Sequence, residues 1–340
     1  MNRITMLSSA ETVKGQGVAS AYRELVNLMT THHADKYDVA INTYRKSEIT
    51  HYHTIDFPFF LSTFAKKKRG VMVGYVHFLP ETLDESLKLP WIAKKVFYKY
   101  VILFYKRMDI LVVVNPSFIP ELVAYGIPEE KIKYIPNFVS ANTFYPMADS
   151  EKKELRAAHG IAEDAFVAIG VGQVQHRKGV LDFIEVAKQL PEMQFIWAGG
   201  FSFGKITAGY KELKEIYDNP PANVKFPGII ERADMNAYYN MADVLFLPSF
   251  NELFPMAILE GMSSGLSVLL RDLELYEGIL AGNYISAPDV PGFKAQLERM
   301  MTDKAYLEEA KNGAKKGAAY YSEARLTGIW QEFYDGLLKG

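Results

Sequence analysis

The 340-residue chain contains no cysteine. That excludes disulfides, thiolate metal sites and thiol nucleophiles, and it fits a reducing interior. Long hydrophobic runs are missing as well: no uncharged apolar stretch approaches the roughly 18–20 residues that span a bilayer. The opening residues, Met1 to Ser9, carry too short an apolar run for a signal peptide. The expectation is a cytoplasmic protein that is not integral to a membrane. Short-period repeats and low-complexity segments are absent too. What remains is an ordinary globular composition, 49% hydrophobic and 23% charged, in a chain long enough to favour two domains over one core.

The net charge of -2 hides an asymmetry. Residues 1–140 hold 18 Lys and Arg against 13 Asp and Glu, whereas the remaining 200 hold 20 against 27. A basic first half and an acidic second half suggest domains with different partners. The first half alternates strand signals at residues 4–8, 37–42, 70–77, 109–115 and 131–135 with helices at 18–31 and 90–107. Two of these runs, GVMVGYVH and DILVVVN, are apolar and β-branched in the manner of buried parallel strands. Residues 136–146 read as a linker with two prolines. After a charged helix at 150–159, strands at 166–171, 194–198, 223–226, 244–247 and 266–270 alternate with helices at 180–190, 205–217, 234–241 and 255–264. The last forty residues read as helices only, ending in an aromatic one at 320–338. Strands separated by helices imply an α/β protein with two parallel sheets. The expected division is a domain over 1–140, a second over 141–320, and a terminal helix, 321–340, packing back on the first.

Three constellations carry chemistry. Gly15-Gln16-Gly17 lies between the first strand and the first helix, where glycines let the backbone approach a phosphate at a helix N-terminus; a flexible loop would look the same. Arg177-Lys178-Gly179 occupies a second strand-to-helix turn, where two adjacent cations suit a diphosphate. The third is Glu252, followed by Leu253-Phe254-Pro255 and, on a helix, Glu260. It comes after the 244–247 strand, at the end of the sheet where open α/β proteins place ligands. Carboxylates at two depths of one pocket can accept hydrogen bonds from two sets of sugar hydroxyls. His77, closing the 70–77 strand, is either a site residue or a satisfied histidine at a strand end.

Together these residues resemble the retaining GT-B glycosyltransferases of family 4. Glu252 and Glu260 match that family's E-x7-E motif, with Phe254-Pro255 and Met262-x-x-Gly265 following. Ile135-Pro136-Asn137-Phe138-Val139 with Phe144-x-Pro146 is similar to its interdomain stretch, Arg177-Lys178-Gly179 to its diphosphate loop, and Gly15–Gly17 to its glycine loop. Gln173 departs from the family's usual Arg, and Phe138 from its usual Gly. The resemblance implies two Rossmann-like domains facing a central cleft, with the donor diphosphate against Gly15, Gly17, Arg177 and Lys178. It implies that Glu260 takes the ribose, and that Glu252 with the Phe254 and Met256 amides takes the transferred hexose. The nucleobase would lie near residues 226–230 and His77 near the reacting centre. It further implies front-face attack with retention, a UDP-sugar substrate, and neither metal nor cofactor.

The acceptor side has its own signal. Residues 90–107 carry five cations and six aromatics with no acid, the pattern of an interfacial helix, although a half-buried Rossmann helix with snorkelling lysines would look alike. Trp91, Lys94, Lys95, Phe97 and Lys99 belong to it. Lys66, Lys67, Lys68 and Arg69 form a second cluster after the apolar 57–64 stretch and are expected to meet anionic headgroups. Both fall in the half that holds the acceptor in this family. The expectation is therefore a hexosyltransferase at the inner face of the cell membrane, similar to bacterial glycolipid synthases that extend monoglucosyl-diacylglycerol in lipoteichoic acid anchor synthesis. The donor is UDP-galactose or UDP-glucose. Nucleic acid is not an expected partner, and oligomeric state is not legible. The competing readings are transfer to a soluble or polysaccharide acceptor, a sugar-nucleotide epimerase, a nicotinamide oxidoreductase, a glycosidase, and a non-catalytic peripheral membrane protein.

Overall fold

The computed structural model describes residues 1–12, 17–80, 90–202, 204 and 209–339. It divides into two compact units, Met1–Phe138 with Glu323–Gly340, and Val139–Ser322. In unit 1 the order is β1 Asn2–Leu7, α1 Gly17–His32, β2 Tyr37–Ile41, β3 Ile49–Tyr52, α2 Phe57–Ser62, α3 Lys66–Arg69, β4 Val71–Val76, α4 Trp91–Lys106, β5 Ile110–Val113, α5 Phe118–Ala124 and β6 Ile132–Tyr134. Unit 2 runs α6 Asp149–Ala158, β7 Val167–Val171, α7 Val180–Gln189, β8 Gln194–Ala198, α8 Tyr210–Asp218, β9 Val224–Gly228, α9 Met235–Met241 and β10 Val244–Leu247. It continues with α10 Met256–Ser263, β11 Ser267–Arg271, α11 Glu274–Leu280, β12 Ile285–Ala287, α12 Val290–Thr302 and α13 Lys304–Tyr320. The last helix, α14 Glu323–Lys339, belongs to unit 1.

Each unit is built on a parallel six-stranded sheet, in the order β2-β1-β3-β4-β5-β6 and β12-β11-β10-β7-β8-β9. Parallel pairing buries both faces, which is why β5 (ILVV) and β10 (VLFL) are apolar without alternation. The core of unit 2 is an aromatic stack in which Phe183 meets Phe195, Trp197 and Phe246 at 5.0–5.5 Å between centroids. Gly170 leaves room for it, since a Cβ there would stand 2.5 Å from Trp197.

The structure adds strands that periodicity did not indicate. β3 has four residues, Ile-Thr-His-Tyr, all buried, and it sits between β1 and β4. Its alternation sends His51 to one face and Tyr52 to the other, where Tyr52 meets Phe104 of α4. β12 is only three residues long. The helix expected at 205–217 begins at Tyr210 in the described part, residues 205–208 lying outside it. The terminal aromatic stretch is broken: Tyr320 ends α13 and α14 starts at Glu323, because Val139 and Ser322 pair there in a parallel bridge.

Candidate active site

In unit 2, β8 lies on one side of β7 and β10 on the other. The connections after β7 and β10 therefore diverge, and such a switch point is where open α/β sheets place a ligand crevice, at the carboxyl ends of the strands. Arg177 and Lys178 follow β7, and Glu252 follows β10. Lys178 Nζ donates to Glu252 Oε1 at 2.5 Å, with side chains only 13% and 5% exposed. Gly179 makes the turn possible. Its φ is +70°, and a Cβ would come within 2.1 Å of the Pro248 carbonyl, so loop and strand end touch backbone to backbone.

A buried ion pair gains little net stability over an apolar pair of the same shape, so its presence in a crevice points to chemistry. Burial pushes the Glu252 carboxyl up, but the charges of Lys178 and Arg177 outweigh it and hold the group below the usual carboxylate range. Burial pulls the Lys178 ammonium down, with Arg177 acting in the same direction against Glu252. Arg177 is aligned from behind. Its Nε donates to Gln175 Oε1 at 2.9 Å, and Gln175 Nε2 donates to Gln173 Oε1 at 2.7 Å. Gln173, where the family usually carries Arg, thus ends a buried amide relay, and Arg177 Nη1 reaches toward the Asn251 carbonyl at 3.4 Å.

Glu260 sits on α10 with its two oxygens separately engaged. Oε1 accepts from Arg232 Nη1 at 2.5 Å and Oε2 from the Tyr239 hydroxyl at 2.8 Å. Pro255 precedes the first helical turn, and Met256 opens it, so the Met256 amide is among the N–H groups without an intrahelical carbonyl. The Phe254 ring is buried against Tyr321 at 5.5 Å. Arg232 and Tyr239 carry no motif that sequence reading could have found; Arg232 stands in an ordinary polar loop before α9.

Unit 1 places His77 just beyond β4, 6% exposed. It is one of three buried histidines on one sheet face. His51 and His53 stand 4.2 Å apart by ring centroids, His53 and His77 6.3 Å, and Tyr75 lies 4.3 Å from His77. Tyr22 of α1 and Trp330 of α14 close over them. Only His51 Nδ1, 2.7 Å from the Tyr334 hydroxyl, has a protein partner among the ring nitrogens of His51 and His53. Burial holds His51 and His77 down to about 3 and His53 well below its ordinary value, so all three are neutral. Gly15 lies outside the described residues; Gly17 is the first residue of α1 and is exposed. Among the described residues no three His, Asp or Glu side chains group to hold a metal ion, and no helix is long and apolar enough to cross a membrane.

The basic-aromatic segment is α4, and only Val101, Phe104 and Tyr105 of it are buried. Its outer stripe exposes Trp91 (67%), Ile92, Val96 and Leu103, with Lys95 and Lys99 between them. Lys95 Nζ stands 5.1 Å over the Trp91 ring, and Lys94 Nζ 5.5 Å over Tyr98. Phe97 is half-buried, 6.5 Å from Tyr100. α2 packs alongside through Phe60 and Tyr100, leaving Phe57, Leu61 and Phe64 exposed. Lys67 and Lys68 are exposed, and Lys66 pairs with Asp109 at 2.8 Å. Arg69 corrects the expectation of four headgroup-facing cations. It is 1% exposed, and its Nη2 donates to the Tyr44 and Arg45 carbonyls at 2.7 and 2.9 Å, because the turn at Gly70 folds it inward.

Comparison with known proteins follows the same division. Residues 151–317 match the model described as "Glycosyl transferases group 1", and residues 21–143 match "Glycosyltransferase Family 4". The alpha-galactosylglucosyldiacylglycerol synthase of Streptococcus pneumoniae is 49% identical over 333 residues, covering 98% of this chain and 89% of that one. Among solved structures, sucrose-phosphate synthase from Thermosynechococcus elongatus superposes with a TM-score of 0.80 at 16% identity, covering both chains fully. Anabaena HepE in complex with UDP and glucose gives 0.79 at 16% identity, covering 98% of this chain and 100% of that one. With two parallel α/β sheets and a relative this similar along nearly its whole length, the chain belongs to the family 4 glycosyltransferases of GT-B fold.

Proposed function

We propose that the chain moves a hexose from UDP-galactose or UDP-glucose to a membrane glycolipid such as monoglucosyl-diacylglycerol, with retention, forming an α-linkage. The observation that carries the reading is the buried Lys178–Glu252 pair at the unit 2 switch point. It sets a diphosphate-binding cation against a hexose-binding carboxylate. Bound UDP and glucose in HepE support the donor, and the name of the pneumococcal relative supports the acceptor.

In this mechanism Arg177 and Lys178 bind the diphosphate, and the glycine loop, Gly15 and Gly17, is a further contact to it. Glu260 receives the ribose. Glu252 and the Phe254 and Met256 amides receive the hexose, and His77 stands near the anomeric carbon. The bond from that carbon to the diphosphate breaks as the acceptor oxygen bonds on the same face. The acceptor proton passes to the departing phosphate oxygen, the base available on that face. Arg177 and Lys178 meet the negative charge that grows there, and in a dry crevice such preorganised charge is the largest source of acceleration. Metal and cofactor take no part in these steps.

Unit 1 is the acceptor side. The exposed stripe of Trp91, Ile92, Val96 and Leu103, with Lys94, Lys95, Lys99 and the half-buried Phe97 on the same helix, and the exposed Lys66, Lys67 and Lys68 of α3 suit shallow insertion into an anionic leaflet at the inner face of the cell membrane. The test is incubation with vesicles containing monoglucosyl-diacylglycerol and either UDP-sugar, followed by mass analysis of the lipid phase. One added hexose from one donor is the expected product. Transfer only to soluble glycans, with UDP bound normally, would discard the lipid acceptor.

A further inference from the structure

Nothing assigned so far explains why Glu260, the carboxylate proposed to take the ribose, is already held by two side chains. Arg232 Nη1 and the Tyr239 hydroxyl each donate to a different oxygen of it, at 2.5 and 2.8 Å. Both come from the segment between β9 and β10, whereas Glu260 is on α10. Phe144 braces the arrangement: its ring lies 4.8 Å under the Arg232 guanidinium and 5.8 Å from the Tyr239 ring. Tyr239 is fully buried and Phe144 likewise, so neither has another rotamer to adopt without opening the core.

From this geometry we infer that Arg232 and Tyr239 are positioning residues that set the nucleoside selectivity of the donor site by fixing the plane of the Glu260 carboxylate. Each carboxylate oxygen has two lone-pair directions. The two protein donors occupy one on each oxygen and leave one on each, a pair of parallel acceptors matched to the two adjacent hydroxyls of a ribose. A carboxylate free to rotate would accept from one hydroxyl as well as from two. A fixed one loses an acceptor interaction when either hydroxyl is missing, and a buried charged group left short of a partner is costly. The ligand class is therefore a ribonucleoside diphosphate with an intact 2′,3′-diol.

This inference rests on the assignment of Glu260 to the ribose, so the test separates the two. The dissociation constants of UDP and 2′-deoxy-UDP are measured on the full chain for wild type, Tyr239→Phe, Arg232→Gln, Arg232→Lys and Glu260→Gln, with melting temperatures recorded for each. Wild type should prefer UDP by about tenfold or more, the loss of one charged hydrogen bond. Tyr239→Phe, an isosteric change, and Arg232→Gln should each shrink that preference several-fold while raising the KM for UDP-sugar and leaving kcat within about twofold. Arg232→Lys should restore part of it by keeping the charge. A purely structural role would lower the melting temperature without altering the ratio of the two ligands. An unchanged ratio in Tyr239→Phe and Arg232→Gln, with the ratio lost in Glu260→Gln, would overturn the positioning role alone. An unchanged ratio in Glu260→Gln would overturn the ribose assignment and this inference together.

Discussion

Unit 1 should lose stability steeply in mild acid, and the three buried histidines set the size of the loss. His51 and His77 are held near 3 and His53 well below its ordinary value, in each case chiefly by burial. In the unfolded chain a histidine titrates near about 6.5. Between those values the unfolded chain binds protons that the folded chain refuses, so stability rises with pH through the window and falls as pH drops through it. From pH 7 to 5 each histidine costs about 2 kcal/mol, and the three together about 6 kcal/mol. That is a large share of a domain's typical stability of about 5–15 kcal/mol. Glu48, held down to about 2 mainly by its hydrogen bond from Arg3, contributes the opposite type of group, whose stabilisation is lost only as pH falls below the ordinary carboxylate range, outside this interval. Among the described residues, the side chains in contact with the histidines are Tyr22, Tyr75, Tyr334 and Trp330, none of which supplies a countercharge. The assay is urea unfolding at pH 7 and pH 5, reported by Trp330 in a variant with Trp91 and Trp197 replaced by Phe. A second variant that keeps Trp197 and carries Phe at 91 and 330 reports unit 2, whose histidines, His159 and His176, are not buried. A change of less than about 1 kcal/mol in the Trp330 transition would refute the account of a neutral, water-excluded histidine layer.

The donor crevice and the surface of unit 1 give further expectations. Glu252→Gln should cut kcat by about 100-fold or more while leaving UDP affinity within about threefold, since its role lies with the hexose; Lys178→Met should weaken UDP itself, measured by calorimetry. Gly179→Ala should destabilise unit 2 by more than about 2 kcal/mol in thermal unfolding, because the new Cβ would meet the Pro248 carbonyl at a positive φ. Replacing Lys95 and Lys99 with Gln should weaken binding to anionic vesicles by about 30-fold at low salt, at about 1 kcal/mol per charge. The same change should have little effect on neutral vesicles, and sedimentation with both lipid mixtures checks it.

Much of this was legible in the chain because parallel α/β folds write themselves in apolar runs. Sequences such as those of β5 and β10 have no alternation to misread. β3 was hidden by the same rule: with Thr50 and His51 among four residues it has neither an apolar run nor a regular polar face, although the fold buries it completely. Arg69 was misjudged because a run of four cations reads as one surface cluster, whereas a short helix turned one of them inward. The Lys178–Glu252 contact spans 74 residues, and the Arg232–Glu260 contact spans 28. Spacing alone fixes neither, since each depends on which strands become neighbours. Motif resemblance brought Lys178, Glu252 and Glu260 into view as separate residues. The Arg232 and Tyr239 partners of Glu260, and the Gln175 that aligns the neighbouring Arg177, came only from the fold.

The most direct test of the account is the stereochemistry of a single turnover. The chain would be supplied with UDP-galactose and UDP-glucose in separate reactions with monoglucosyl-diacylglycerol in detergent micelles, and the anomeric proton of the new sugar read by NMR. An α-linked hexose on the lipid, absent when Glu252→Gln replaces the wild type, is the predicted result. A β-linked product, or an α-linked one formed equally well by the variant, would contradict the mechanism built on the Lys178–Glu252 crevice.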